Sequence, residues 1–306
     1  MQSLRSRILN FAMRNRHLLE GRLHREAFNA ETSIPAFRAQ CEKSAARLAK
    51  LPPGVTVEPG TIDDMRCEWL VPSGARRDRG VLYVHGGGYV SGSCADHRGF
   101  VAKLAARTGL ATLTYEYRLA PEHPFPAAVD DSIAAYRWLL ATGLSPDHIL
   151  VAGESAGGGL ALALLLALKE AGLPLPCGAV AISPWTDLTC SGESYRTKGK
   201  VSVAPAESWT VFSRHYVADN DPSNPLISPL FGDLAGLPPL LINSAVDDEL
   251  FDDGESFASK ARASGVEVTF RPGVGMVHCY PLLAPMFPEA TQAMDEIVAF
   301  MRARLK

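Results

Sequence analysis

Apolar positions along the chain gather into short, almost solid runs, and longer mixed stretches separate them. The runs at 81–84, 111–115, 149–152, 179–182 and 240–243 show little polar alternation, the pattern of strands buried on both faces. Between and after them, residues 95–107, 127–141, 156–171, 249–264 and 289–304 read as helices, and 266–271 as a further strand. Strands separated by helical stretches of this length predict crossover units: an α/β fold whose mostly parallel sheet is covered by helices on both faces. Two strand-like runs, 55–58 and 65–71, precede this alternation. Residues 4–50 read as helical and amphipathic and stop at Pro52-Pro53-Gly54, a clear break. Residues 188–228, rich in Ser, Pro and aromatics (Tyr195, Trp209, Phe212, Tyr216), interrupt the alternation and read as an insertion over the sheet. No internal repeat or low-complexity tract appears, so residues 1–306 are expected to form a single domain.

Two glycine-rich stretches stand directly behind apolar strands. Gly153-Glu154-Ser155-Ala156-Gly157 follows the run at 149–152 and opens an apolar helix, the context in which a GxSxG pattern places a serine on a sharp turn above the sheet. Small neighbours permit such a turn, and the helix N-terminus presents N–H groups to developing negative charge. His85-Gly86-Gly87-Gly88 follows the run at 81–84. A glycine triplet between a strand and a structured segment marks a place where backbone must approach something closely. The amides of Gly87 and Gly88, joined by that of Ala156, suit an oxyanion hole for a tetrahedral intermediate.

A nucleophilic serine needs a base and the base an orienting carboxylate. Of eight histidines, His278 follows the serine in a loop after a late strand; His215 also follows it, within the insertion. Residues 242–254 follow a strand and offer Asp247, Asp248, Glu249, Asp252 and Asp253, a cluster whose ordinary role is a solvated loop and helix cap. The order serine, acid, histidine suits an α/β-hydrolase sheet. An imidazole base predicts a rate that falls as pH drops through about 6 to 7.

Composition narrows the class. With 306 residues, 47% hydrophobic and 21% charged, and a net charge of −3, the chain can bury a large core and has no basic field for nucleic acid. Charge is uneven: residues 1–50 hold ten Lys/Arg against four Asp/Glu, or +6, and the remainder, with twenty against twenty-nine, is −9. Solvated helix faces are the expectation for this basic segment, in preference to a membrane-surface role. Six cysteines without a CxxC pair suit small buried thiols in a cytoplasmic protein. Arginines at 5, 7, 14 and 16 interrupt any signal-peptide core, and the longest apolar run, 160–168, is far short of the ~20 residues of a bilayer span, so no stable membrane insertion is expected.

These motifs resemble the hormone-sensitive-lipase-like esterases of the α/β-hydrolase superfamily. The landmarks are HGGGYVSGS at 85–93, YRLAPEHPFPAAVDD at 117–131, GESAGGGLA at 153–161, SPWTDL at 183–188 and DELFDDG at 248–254. The resemblance implies a carboxylesterase for short- to medium-chain acyl esters, without cofactor or metal, as a monomer or homodimer. It also implies a helical cap built from about 1–50 and 188–228. By position it makes Ser155 the nucleophile, Asp248 the acid, His278 the base, and Gly87, Gly88 and Ala156 the oxyanion donors. Amide, thioester or acetylated small molecules are alternative substrates, and a non-catalytic receptor on this fold is a further alternative that the presence of His278 opposes. Glu154, where Asp is commoner, either hydrogen-bonds backbone near the glycine loop or caps the helix dipole. Cys279, where Gly is commoner, reads as a packed thiol. Trp185, Trp209, Phe212 and Met276 are candidates for lining a substrate pocket.

Overall fold

A computed structural model describes residues 2–19, 21, 23, 26–46 and 50–305. The solid apolar runs become strands of one sheet: β1 (Val55–Ile62), β2 (Met65–Pro72), β3 (Gly80–Val84), β4 (Thr112–Tyr115), β5 (Ile149–Glu154), β6 (Gly178–Ile182), β7 (Leu240–Ala245) and β8 (Val268–Gly273). In space the order is β1-β2-β4-β3-β5-β6-β7-β8. The β1–β2 and β2–β4 pairs are antiparallel, and every pair from β4 to β8 is parallel.

Side chains alternate across the central strands, so each face of the sheet has its own core. Leu82, Val84 and Val151 enter one; Val81, Tyr83, Leu150 and Ala152 enter the other. The helices are α1 (Leu4–Arg14), α2 (Arg16–Leu19), α3 (Ile34–Ala46), α4 (Cys94–Thr108), α5 (Ala127–Ala141), α6 (Ala156–Glu170), α7 (Glu193–Thr197), α8 (Ser208–Val217), α9 (Phe251–Ala263) and α10 (Pro288–Arg304). The first core packs against α5, α6 and α9 and the second against α4 and α10. Burial on all sides explains why α6 is solidly apolar from Leu160 to Leu168. Among the described residues no helix is long and apolar enough to cross a membrane.

The segment expected to be helical over 4–50 forms three helices, and the described residues 26–29 between α2 and α3 are not helical; positions 20, 22, 24, 25 and 47–49 of that expectation lie outside the described residues. There the backbone bonds to the insertion. Phe28 N–H donates to Ala206 (2.8 Å) and Ala206 N–H to Glu26 (3.0 Å). Asn29 then turns the chain by accepting from the amide of Glu31 at 3.1 Å. An aromatic trio strengthens this link: Phe28, Phe37 on α3 and Phe212 on α8 lie 5.1–5.5 Å apart, centroid to centroid. Both segments thereby come to rest above the carboxyl ends of β3 and β5. There the chain passes from strands on one side of β3 to strands on the other, the position where open α/β sheets bind ligands.

Candidate active site

Ser155 is the single residue between β5 and α6, and its φ of 56° with ψ of −127° is a strained conformation for a side-chain-bearing residue. The surrounding glycines make that turn possible. A Cβ on Gly153 would lie 2.3 Å from Gly157 O, and one on Gly157 would lie 2.2 Å from His85 O and 2.3 Å from Val84 O. The first turn of α6 therefore sits directly on the end of β3. The segment after β6 fastens the turn from the other side: Ser155 N–H donates to Ile182 (2.9 Å) and Trp185 N–H to Ser155 (3.0 Å).

The glycine loop leaves β3 beside this turn. Gly87 and Gly88 have φ of 121° and 65°. A Cβ on Gly87 would meet Ser91 O at 2.2 Å, and one on Gly88 the ring of Phe212 at 2.4 Å. The glycine triplet in the sequence suits a close approach of backbone to a ligand. The structure adds that backbone strain and the loop's own turn also demand them. The loop closes on itself through Ser91, whose N–H (3.0 Å) and Oγ (2.9 Å) both donate to Gly87 O. Among the hydrogen bonds between described residues, none is donated by the amides of Gly87, Gly88 or Ala156.

Glu154 links the serine turn to the glycine loop. Its buried carboxylate accepts from Gly86 N–H (2.6 Å) and from the Tyr83 hydroxyl, and lies 2.9 Å from His97 Nε2. Of the two roles open to Glu154, the geometry supports the bond to the loop backbone. Burial disfavours charge on His97, but the Glu154 carboxylate outweighs this and raises its pKa. His85 differs. Its ring stacks on Tyr117 (4.2 Å) and its Nδ1 donates to Gly86 O at 2.9 Å. Burial pushes its pKa down to about 3, so the ring is neutral.

Asp248 follows β7 and is almost wholly buried; its Oδ2 lies 2.5 Å from Nδ1 of His278, in the segment after β8. Burial disfavours a charged imidazole, yet the facing Asp248 carboxylate prevails and holds the His278 pKa well above its ordinary value of 6.5. Cys279 anchors the histidine segment by donating its N–H to Ser183 Oγ at 3.1 Å. His278, Ser155 and Gly86–Gly88 line one cavity of about 290 Å³, together with Phe37, Val203, Ala204, Trp209, Phe212 and Cys279.

The neighbouring acids do not form a solvated cluster. Each has a separate partner. Asp247 pairs with Arg14 of α1 at 2.7 Å, Glu249 accepts from Trp209 Nε1 at 3.1 Å, and Asp252 accepts from Ser194 N–H at 2.8 Å. Asp253 accepts from the amides of Thr186 (2.8 Å) and Asp187 (2.7 Å), and burial raises its pKa.

Of the four candidate lining residues, Trp209 and Phe212 reach the cavity and two do not. Trp185 is fully buried behind Trp209, with ring centroids 5.1 Å apart, because its backbone is bonded to the serine turn. Met276 lies in the core on the opposite face of the sheet. Phe37, Val203 and Ala204 were not foreseen as lining residues. Local pattern carries no signal for them, since α3 is brought to the cavity by pairing with a segment nearly 180 residues away (Ala27 with Ala206).

A family model described as the alpha/beta hydrolase fold matches residues 81–282. An acetyl-hydrolase of Streptomyces hygroscopicus is 43% identical over 254 residues, 82% of this chain and 83% of that protein. An esterase of Acinetobacter venetianus is 36% identical over 256 residues, 83% of this chain and 84% of its own. The crystal structure of an esterase from the bacterial hormone-sensitive lipase family superposes with a TM-score of 0.90 at 36% identity, covering all of both chains.

The Glu154 contacts generate a prediction. Glu154→Gln can still accept from Gly86 N–H but no longer offers charge to His97 and Tyr83. The glycine loop should lose definition, so that kcat falls about tenfold to a hundredfold while KM changes little. Steady-state kinetics check this; unchanged kcat in a variant of lowered melting temperature would leave Glu154 with a purely structural role.

Proposed function

The chain belongs to the α/β-hydrolase fold family, in its hormone-sensitive-lipase-like group, and is a carboxylesterase; on that footing we propose that Ser155, His278 and Asp248 carry the reaction through an acyl-enzyme. Ser155 Oγ attacks the ester carbonyl while His278 Nε2 takes the hydroxyl proton. Asp248, on Nδ1, fixes the tautomer and stabilises the imidazolium. The carbonyl oxygen, now negative, turns toward the amides of Gly87, Gly88 and Ala156. Collapse of the intermediate expels the alcohol, protonated by His278. Water, deprotonated by the same ring, then releases the acid and frees Ser155. The observation that carries this reading is the 2.5 Å contact of His278 Nδ1 with buried Asp248, in a ring that shares one small cavity with Ser155 and the glycine loop.

The cavity also bears on the substrate. We propose that the segments carrying Phe37 and Phe212 act as a cap and that the acyl group lies against Phe37, Trp209 and Phe212, which suits short- to medium-chain acyl groups in a volume of about 290 Å³. The naming of the Streptomyces relative as an acetyl-hydrolase supports the short end of that range. Six free cysteines favour a reducing compartment, the cytoplasm.

Three outcomes follow. Ser155→Ala should abolish hydrolysis without unfolding, and Asp248→Asn should lower kcat by on the order of 10⁴, as amide replacement of such an acid does in serine proteases. Asp247→Asn should stay within about tenfold of wild type, since a partly exposed ion pair contributes at most about 1 kcal/mol. The reverse ranking of the two aspartates would make Asp247 the acid. In a p-nitrophenyl ester series, kcat/KM should peak at a short or medium acyl chain; a monotonic rise toward long chains would contradict this cavity as the acyl site. The pH profile supplies the third. His278 must be neutral to accept the serine proton, and its pKa is raised, so kcat/KM should fall as pH drops through a midpoint above 6.5, higher than the sequence alone suggests. A midpoint at or below 6 would remove the Asp248 effect.

A further inference from the structure

Helix α1 packs Leu9 on the second core but turns the rest of its large apolar stripe outward. A surface helix ordinarily buries its apolar stripe and exposes its polar one. Here Ser6 and Asn10 are buried, while Leu4, Ile8 and Phe11 are 70%, 59% and 68% exposed at one-turn spacings. Leu18 on α2, 55% exposed, lies one heptad beyond Phe11. The polar face is bonded to the body of the protein. Ser3 Oγ donates to Glu289 at the start of α10 (2.8 Å), Asn10 Nδ2 donates to Gly275 O (2.8 Å), and Arg14 pairs with Asp247. Specific bonds thus hold the helix with its apolar side outward. Val274 and Met286, in the two loops next to these anchoring points, are also exposed.

Charge indicates what this face meets. The first nineteen residues contain four arginines and no acid, and Arg5 and Arg7 flank the stripe in exposed positions. A second copy docked on this stripe across a two-fold axis would bring Arg5 and Arg7 of both copies to the seam, while Asp295 and Glu296 beside Arg5 are already paired with Arg107 and Arg271. An apolar stripe flanked by arginines instead matches an anionic lipid surface, where the side chains enter the acyl boundary and the guanidinium groups stay at the headgroups. We propose that α1 is a docking helix by which this protein lies reversibly on an anionic lipid surface. This replaces the expectation of a merely solvated basic segment and involves no crossing of the bilayer. The anchoring bonds run to Gly275, three residues before His278, and to Asp247, adjacent to Asp248, so docking holds the loops of the active site beside the surface where acyl esters partition. The proposal stands on exposure and charge and is independent of the triad assignment.

Sedimentation of the full-length protein with vesicles tests it. Wild type should partition onto phosphatidylcholine vesicles containing phosphatidylglycerol, weakly onto pure phosphatidylcholine, and less as salt is raised. Replacing Leu4, Ile8 and Phe11 together by Ser, and separately Arg5 and Arg7 by Gln, should each lower the partition coefficient about tenfold or more. Both variants should hydrolyse a water-soluble ester at the wild-type rate, which verifies that they are folded. Absence of binding to mixed vesicles, or equal binding to both kinds, would overturn the proposal. So would a dimer in light scattering that the triple variant dissolves, since the stripe would then be an interface between copies.

Discussion

The site depends on a backbone-to-backbone contact that only glycine allows. At Gly157 the first turn of α6 rests on the carbonyls of Val84 and His85, and a single Cβ there would stand 2.2 Å from the nearer oxygen. This contact sets the height of Ser155 above the sheet relative to the loop leaving β3. Burial of β3 and β5 as adjacent parallel strands brings the two ends together, and the missing side chains let them close. Glu154 then bonds the same two parts through the Gly86 amide. The proposed nucleophile and the proposed oxyanion donors are therefore positioned by one another before any substrate arrives, which is the preorganisation that electrostatic stabilisation of a transition state requires.

What local physics governs was legible in the sequence. Buried parallel strands must be apolar on both faces, so the runs at 81–84, 149–152 and 179–182 mark β3, β5 and β6 almost to the residue. Glycine patterns that answer to one turn were equally clear. Matters decided by distant pairing were not. The non-helical backbone at 26–28 is bonded to Ala206, and no periodicity within 1–50 encodes that pairing. Trp185 and Met276 are apolar like true lining residues, but which face of the sheet a residue joins after a strand ends is set by the path of the loop. The acids at 247–253 look alike in the sequence and differ because Arg14, Trp209, Ser194 and the amides of 186–187 arrive from elsewhere.

The loops bearing Asp248 and His278 are steadied from outside the sheet. Asp253 holds the 186–187 backbone, Ser183 holds Cys279, and α1 ties down Gly275 and Asp247. Such bonds are individually modest, about 1 kcal/mol net each. Their effect is on position more than on global stability, because they restrain the segments on which the proposed acid and base stand.

Phe212 has two duties at once. Its ring forms a wall of the cavity beside Ser155 and also lies so close to Gly88 that no side chain could stand between them. A wall of the proposed acyl site thus presses on the loop proposed to hold the oxyanion. If both proposed roles hold, selectivity and rate share one contact. On that proposal, enlarging the cavity at this position would admit bulkier acyl groups while slackening the loop, so substrate range would be traded against turnover.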